Sequence, residues 1–406
     1  MFRDLRGRPA LVVLGCLVCQ MGLGFGYAVG PLAGDLIAEL GFTRAEFSAG
    51  RAPQLWVIAL ASPLLAGAAV RFGARAVLVA SALLLAVGYA GIARMHEWWQ
   101  LTLFWSVVGL GTVGLGDITV GGVVAQWFRR HRGLALGIVY TGSNIGGFLA
   151  TRAVASIADE TTWREALLTV CAGGGLLLVP FALLVRPPPR EVAALPDVSD
   201  GEVPAAAQPG DLTLREAMRT RSFWILFATL FSFWLYFLGM LDHLVLFLTD
   251  AGLTREEAAG HLSNAVGLGI VSKLGFGWIA DRMSPKSSLL LDYGLLTLSA
   301  LLLLALPDDA LIWVFVACFG FATAARDVVT PLAIGHCFGA TSLMQIYGVL
   351  MLTLLPGGTL GPIFAGAVHD ATGSYFGAFA SFAALNALAW LALTQVRDER
   401  KALRAR

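Results

Sequence analysis

The chain has 406 residues, 57% of them hydrophobic and 14% charged, with a formal net charge of +1. Soluble domains carry about 25% charged residues, so a mean hydropathy of +0.74 excludes a water-soluble enzyme of this length. The near-neutral balance lacks the basic footprint of a nucleic-acid binder, and no such partner is expected.

A helix needs about 20 apolar residues to cross the hydrocarbon of a bilayer. Runs of this kind cover residues 10–38, 50–70, 75–93, 100–127, 134–157 and 164–185. A second set covers 222–249, 258–280, 287–306, 310–335, 343–368 and 374–395. The first run follows Arg3, Arg6 and Arg8, but no short apolar core ends at a small-residue cleavage site. It is therefore expected to be a membrane helix and not a removable signal. Within it, Cys16 and Cys19 form a C-x-x-C pair with no second pair and no nearby His. With Cys171, Cys318 and Cys337 they read as small packing residues, not as a metal site or a disulfide framework.

Between the sixth and seventh runs, residues 186–220 open with Arg186-Pro-Pro-Pro-Arg190 and continue rich in Ala, Asp and Pro. That composition is expected of a flexible linker. The expected fold is an all-α membrane protein whose twelve transmembrane helices form two pseudo-symmetric six-helix bundles. The N-terminal bundle covers 1–185, a cytoplasmic linker 186–220 and the C-terminal bundle 221–406. Of the 28 Lys and Arg residues, all but Arg152, Lys273 and Arg326 are assigned to loops or tails. With the N-terminus in the cytoplasm, 20 of them lie inside and five outside: Arg44, Arg51, Arg94, Arg164 and Arg255. Basic residues favour the cytoplasmic side, so both termini are expected in the cytoplasm and the protein in the cell (inner) membrane.

The halves repeat at an offset near 211 residues. Gly41-Phe-Thr43-Arg44 returns as Gly252-Leu-Thr254-Arg255, Arg71 as Arg282, and Asp117 as Asp327 at a matching depth of the fourth span. Two halves of like orientation are a repeat pattern of secondary transporters.

Gly275-Phe-Gly-Trp-Ile-Ala-Asp281-Arg282, after the eighth span, resembles the loop motif of the major facilitator superfamily. Its counterpart, Gly67-Ala-Ala-Val70-Arg71-Phe-Gly-Ala-Arg75, has Val70 where that motif has Asp. The resemblance implies a cytoplasmic latch made by Gly275, Asp281, Arg282, Arg71 and Arg75, stronger in its C-terminal copy. Within the superfamily, Trp127-Phe128-Arg129-Arg130-His131-Arg132-Gly133-Leu134-Ala135-Leu136-Gly137 is similar to the segment entering the fifth helix of the monocarboxylate transporter and oxalate/formate antiporter group. That group places a substrate-binding Arg where this chain has Lys273. The group's acidic, Trp-containing signature at the first helix is absent, and Tyr347-Gly-Val-Leu-Met-Leu-Thr-Leu354 offers no second cation in the eleventh. Gly137 to Gly147 is also partly similar to a glycine-rich fifth-helix motif of drug/proton antiporters. Helix packing through small residues explains that stretch equally well.

A charged side chain at bilayer depth is costly and marks a functional candidate. Lys273, with Arg326, is expected to bind a substrate carboxylate; the competing role for Lys273 is an internal pair with a buried Asp. Asp117 and Asp327 are expected to carry protons, unless each is permanently paired, as Arg326 beside Asp327 suggests. Adjacent helical residues point about 100° apart, so Arg326 and Asp327 are not expected to share one direction. Asp242 and His243, toward the outer end of the seventh span, form a possible external proton entry, His being the side chain that titrates near neutrality. Arg152 is expected to pair structurally with one of these acids. Gln20 and Tyr27 share one face of the first helix, and Tyr140 and Asn144 one face of the fifth. Either pair would hydrogen-bond a substrate or join helices.

The expected function is secondary active transport of a small organic anion, a monocarboxylate in the first instance, by proton-coupled symport through alternating access. Two alternatives stay open: a proton-coupled antiporter or exporter of drugs or metabolites, and a transporter of a zwitterion such as an amino acid. No enzyme activity, metal or cofactor is expected. The expected partners are the anion, protons and the lipid bilayer, with the chain acting as a monomer.

Overall fold

A computed structural model describes residues 7–128, 132–187, 211–280, 282–306, 309–339 and 342–404. Among them there are helices and turns and no strand, as expected where lipid offers the backbone no hydrogen-bond partner. Helix α1 (Arg8–Gly24) tightens into a 3-10 stretch (Phe25–Leu32) and resumes as α2 (Ala33–Leu40). There follow α3 (Arg44–Phe72), α4 (Ala74–Ala93), α5 (Trp98–Leu115), α6 (Asp117–Trp127) and α7 (Arg132–Glu160). The short α8 (Trp163–Leu167) passes through one π-helical turn into α9 (Gly173–Leu184). After α10 (Leu214–Ala217) come α11 (Arg221–Asp250), α12 (Arg255–Ala280), α13 (Pro285–Leu302) and α14 (Asp309–Phe338). The described chain closes with α15 (Leu343–Met351), α16 (Leu354–Thr372), α17 (Phe376–Leu393) and α18 (Glu399–Arg404).

Eight helical stretches among the described residues are long and apolar enough to cross a membrane. The other four expected spans are helical as well, in α3, α7, α12 and α13. The expected fourth span is interrupted. Gly116 adopts an extended ψ of -174°, ending α5, and Asp117 becomes the first residue of a new helix. Its counterpart Asp327 lies inside the unbroken α14.

The repeat seen in the sequence is a repeat of cap geometry. Gly41 and Gly252 both take positive φ, +67° and +101°, the left-handed turn that glycine adopts without a Cβ clash. Two residues on, the Thr43 hydroxyl accepts from the Glu46 N–H while Glu46 accepts from the Thr43 N–H. Thr254 and Glu257 repeat this box. Such caps satisfy donors that a helix start leaves open.

Most of the expected linker, residues 188–210, lies outside the described residues. Its final part, residues 211–220, makes specific contacts and includes the short α10. The Leu212 N–H donates to the Phe338 carbonyl, Asp211 lies 3.6 Å from Arg400, and Thr213 caps α10 with Glu216. Hydrogen bonds from the Thr213 backbone and hydroxyl hold the Glu216 carboxyl below its usual range.

Two compact units are present. Unit 1 comprises the described residues of Met1–Asp200 together with Leu248–Gly267, the tip joining α11 to α12. Unit 2 comprises those of Gly201–Phe247 and Leu268–Arg406. In unit 1, α1 lies on α7 backbone to backbone. A Cβ on Gly24 would strike Gly147 and Ser143, one on Gly142 the Leu17 carbonyl, and one on Gly146 the Met21 carbonyl. All five cysteines are buried and free.

Candidate functional site

The densest intramembrane charge lies in unit 2. Lys273, on α12, places Nζ 3.4 Å from an Asp327 carboxylate oxygen on α14. Arg326 bends back from the neighbouring position and donates to the other oxygen of the same carboxylate. The two side chains meet but differ in burial: Arg326 is 10% exposed and Asp327 42%. An exposed carboxylate within a membrane span is tolerable only on a face that water reaches.

Aromatic and sulfur groups fix the Arg326 guanidinium. It lies 4.4 Å from the Trp234 ring centroid and 4.9 Å from that of Phe233, both on α11. Its Nη1 also points at the Met351 sulfur, 3.8 Å away on α15. A cation desolvated over aromatic faces gains up to about 2 kcal/mol. The site thus joins Lys273, Arg326 and Asp327, with two cations on one carboxylate.

One acid of this cluster escaped the sequence reading. Asp292, on α13, is 2% exposed, and its Oδ1 has no hydrogen-bond partner among the described residues. The charges close enough to act on it are Arg326 and Asp327. The signal was present in Leu289-Leu-Leu-Asp292, which places the acid six residues into the expected run 287–306.

Arg51 requires a correction. Assigned above to an outer loop, it lies inside α3, stacked 4.5 Å from the Trp105 ring centroid and donating to the Gly26 carbonyl of the 3-10 stretch. Helix α3 starts at Arg44, two turns earlier than the apolar run suggests. Arg152 also departs from expectation, since its hydrogen bond goes to the Asn264 side chain at 2.8 Å and not to an acid.

The remaining candidates scatter. His243 is fully buried in unit 2, with Nδ1 2.9 Å from the Tyr375 hydroxyl and Nε2 2.9 Å from the Pro362 carbonyl. A carbonyl only accepts, so Nε2 carries a proton. Asp242 beside it is 5% exposed. In unit 1, Gln20 and Tyr27 pack along the glycine seam against Gly142 and Gly147. Asn144 donates to the Val266 carbonyl at 2.9 Å, and the Tyr140 hydroxyl lies against Gly121. Of the latch residues, Arg71, Arg75 and Arg282 are exposed, and a Cβ on Gly275 would meet no described atom within 4 Å. Asp281, with Arg129, Arg130 and His131, lies outside the described residues, as does the side chain of Asp117.

Unit 1 carries a second set of charges, at its loops. Arg44 meets Asp250 at 2.6 Å, and Arg255 meets Asp35 at 2.6 Å and Asp159 at 3.4 Å. The two repeat-related arginines thus each pair with an acid from the other half of the sequence.

Residues 14–325 match the family described as Major Facilitator Superfamily. Mouse monocarboxylate transporter 12 is 28% identical over 282 residues, which cover 63% of this chain and 58% of that protein. The chain thus spans less than two thirds of that relative's length. Human monocarboxylate transporter 11 is 27% identical over 381 residues, covering 87% of this chain and 77% of the relative. The MFS-type transporter YhjX of Escherichia coli (strain K12) is 25% identical over 352 residues, covering 84% of each. Among solved structures, a bacterial homolog of the human lysosomal transporter Spinster aligns with a TM-score of 0.73 at 17% identity, covering 96% of this chain and 97% of that one. The nucleoside transporter NupG aligns with a TM-score of 0.75 at 14% identity, covering 95% and 99%.

Proposed function

The chain belongs to the major facilitator superfamily, with that family's twelve-helix fold and a transporter's role in place of an enzyme's, and from this premise we propose that it moves a small organic anion, a monocarboxylate first, by proton-coupled symport through alternating access. The observation that carries the reading is the convergence of Lys273 and Arg326 on the single, exposed carboxylate of Asp327. Two cations around one carboxylate make a seat that a substrate carboxylate can enter by replacing Asp327. The lysine offers three donors and a point charge, without the planar fork that selects bidentate carboxylates, so selectivity among small anions is loose. The proton enters with the anion because a bare charge resists passage through the bilayer.

The relatives named monocarboxylate transporters support the substrate class. Asp117, Asp242 and His243 remain candidate proton groups, and Gly275, Asp281, Arg282, Arg71 and Arg75 the candidate latch. Tyr140, Asn144, Tyr27 and Gln20 are secondary contacts, since Gln20, Tyr27 and Asn144 already serve helix packing. The protein acts as a monomer in the cell membrane with both termini cytoplasmic. Moving Arg51 into a helix leaves 20 basic residues inside against four outside (five less Arg51), which strengthens that orientation. The exposed Asp327 favours one second reading, a zwitterion whose ammonium it would receive.

The test is uptake of labelled short-chain carboxylates and amino acids into proteoliposomes, with and without an inward proton gradient. Gradient-driven uptake of a monocarboxylate that is lost in Lys273→Gln supports the proposal. Uptake of amino acids alone selects the second reading. If no carboxylate moves, or Lys273→Gln transports normally, the anion reading is wrong and proton-coupled export takes its place.

A further inference from the structure

We propose that Asp292 is the seat of the coupling proton, and that its protonation gives the Lys273–Arg326–Asp327 cluster the single net positive charge that one monocarboxylate requires. The inference rests on the anion-symport reading and adds to it a residue and a stoichiometry.

The argument begins with counting. Lys273 and Arg326 bring two positive charges and Asp327 one negative. Asp292 brings the fourth charge, and its protonation state decides the balance. With Asp292 ionised, the four groups sum to zero and a substrate anion has no charge to answer. With Asp292 protonated, they sum to plus one, and one bound monocarboxylate restores neutrality. Anion and proton then enter and leave together because each alone leaves an uncompensated charge in a membrane span.

Geometry separates the two acids. Asp327 is 42% exposed and already accepts from both cations. It is placed to meet a substrate, and to compete with one. Asp292 is 2% exposed, and one of its oxygens accepts from no described residue. A buried polar atom without a partner is costly, and a carboxyl that carries a proton is the form such surroundings tolerate. Asp292 therefore acts on the substrate through Arg326, as a positioning residue beneath the site, without touching the anion.

Among the described residues, the neighbours leave no other charge to do this. On α14, which packs against α13, Arg326 and Asp327 are the charges that act electrostatically on Asp292, and beside it on α13 stands Tyr293, whose hydroxyl donates to the Thr229 carbonyl of α11. The other helices packed on α13 present uncharged groups. On α11, Tyr236 bonds Ser299, and on α17, Trp390 donates to the Leu290 carbonyl. Lys286, in the first turn of α13, is turned away to the Thr394 carbonyl.

Asp292→Asn and Asp292→Glu in proteoliposomes test the proposal, read by two assays. The first compares proton-driven accumulation of a labelled monocarboxylate with its counterflow against the same unlabelled anion. One-proton coupling accumulates the anion about tenfold per pH unit of gradient. Asp292→Asn is expected to lose that accumulation while still exchanging anion, with the pH dependence of exchange flattened; Asp292→Glu is expected to restore it. The second assay needs no substrate. Infrared difference spectra between acidic and alkaline buffer are expected to show a carboxyl C=O band in the wild type that is missing from Asp292→Asn and present in Asp327→Asn. If Asp292→Asn still accumulates anion on a proton gradient, or keeps the full infrared band, the proposal is overturned. If the wild type moves no carboxylate while the band is lost only in Asp292→Asn, the anion reading fails and the proton seat stands.

Discussion

The two charged regions of this molecule use the same residue types for different ends. At the loops of unit 1, Arg44 and Arg255 meet Asp250, Asp35 and Asp159, pairs in which the acids are 36–42% exposed. In unit 2, Lys273 and Arg326 share one Asp327 carboxylate that is equally exposed at 42%, so the difference lies in the buried Arg326 guanidinium and in a second acid, Asp292, that is almost fully buried. Exposed pairs each contribute about 0.2–1 kcal/mol and are screened by salt. Buried ones cost several kcal/mol to desolvate and persist only where their partners are held. Unit 1 therefore uses charge as a weak, reversible fastening, whereas unit 2 sets two cations beside two acids of very different burial, an arrangement that no stability argument requires.

Removing one partner from the inner set gives the largest expected effect. Arg326→Leu leaves Asp292 without its cation and should destabilise the protein by about 3–5 kcal/mol, seen as a lowered unfolding temperature in detergent together with loss of uptake. An Arg326→Leu protein as stable as the wild type would show that the inner cluster is no more strained than the outer pairs. Trp234→Leu removes an aromatic face 4.4 Å from the guanidinium. A loss of about 1 kcal/mol is expected, or about fivefold in anion affinity, measurable by counterflow at graded substrate. The smallest effect belongs to the outer set. A double-mutant cycle on Arg44→Ala and Asp250→Ala should give a coupling of about 0.2–1 kcal/mol that disappears in high salt. A coupling several times larger that survives high salt would erase the contrast between the two regions.

Much of this was legible in the sequence, for identifiable reasons. Spans are set by bilayer thickness and therefore by run length, which places the helices within a few residues. The Gly-x-Thr-Arg repeat was legible because caps are local, and Gly41 and Gly252 need their positive φ whatever packs around them. Lys273 and Asp327 stood out as charges deep within apolar runs, and their pairing is the competing role foreseen for Lys273. Asp292 and Arg51 were lost for the converse reason. Each stands near the end of an apolar run, and run length alone overlooks the start signals ahead of them, the Thr43–Glu46 capping box before Arg51 and Ser284-Pro285 before Asp292. The break at Gly116 was also hidden, since a glycine among several in an apolar stretch carries no mark of its ψ. The glycines of α7 were ambiguous for a related cause. Small residues permit both a ligand and a neighbouring helix to approach, and only the position of α1 decides between them.

That position has a mechanical consequence. Helices usually interlock by setting the ridges of one into the grooves of the other, and shifting such a pair means lifting side chains over one another. Along Gly24, Gly142 and Gly146 backbone meets backbone, and the side chains crossing the seam are Gln20 and, beside Gly147, Tyr27. Fewer side chains need lifting for α1 to shift along α7 there, and α1 runs directly on into the tighter 3-10 turns of Phe25–Leu32. A single methyl group added to the seam would act as a brake.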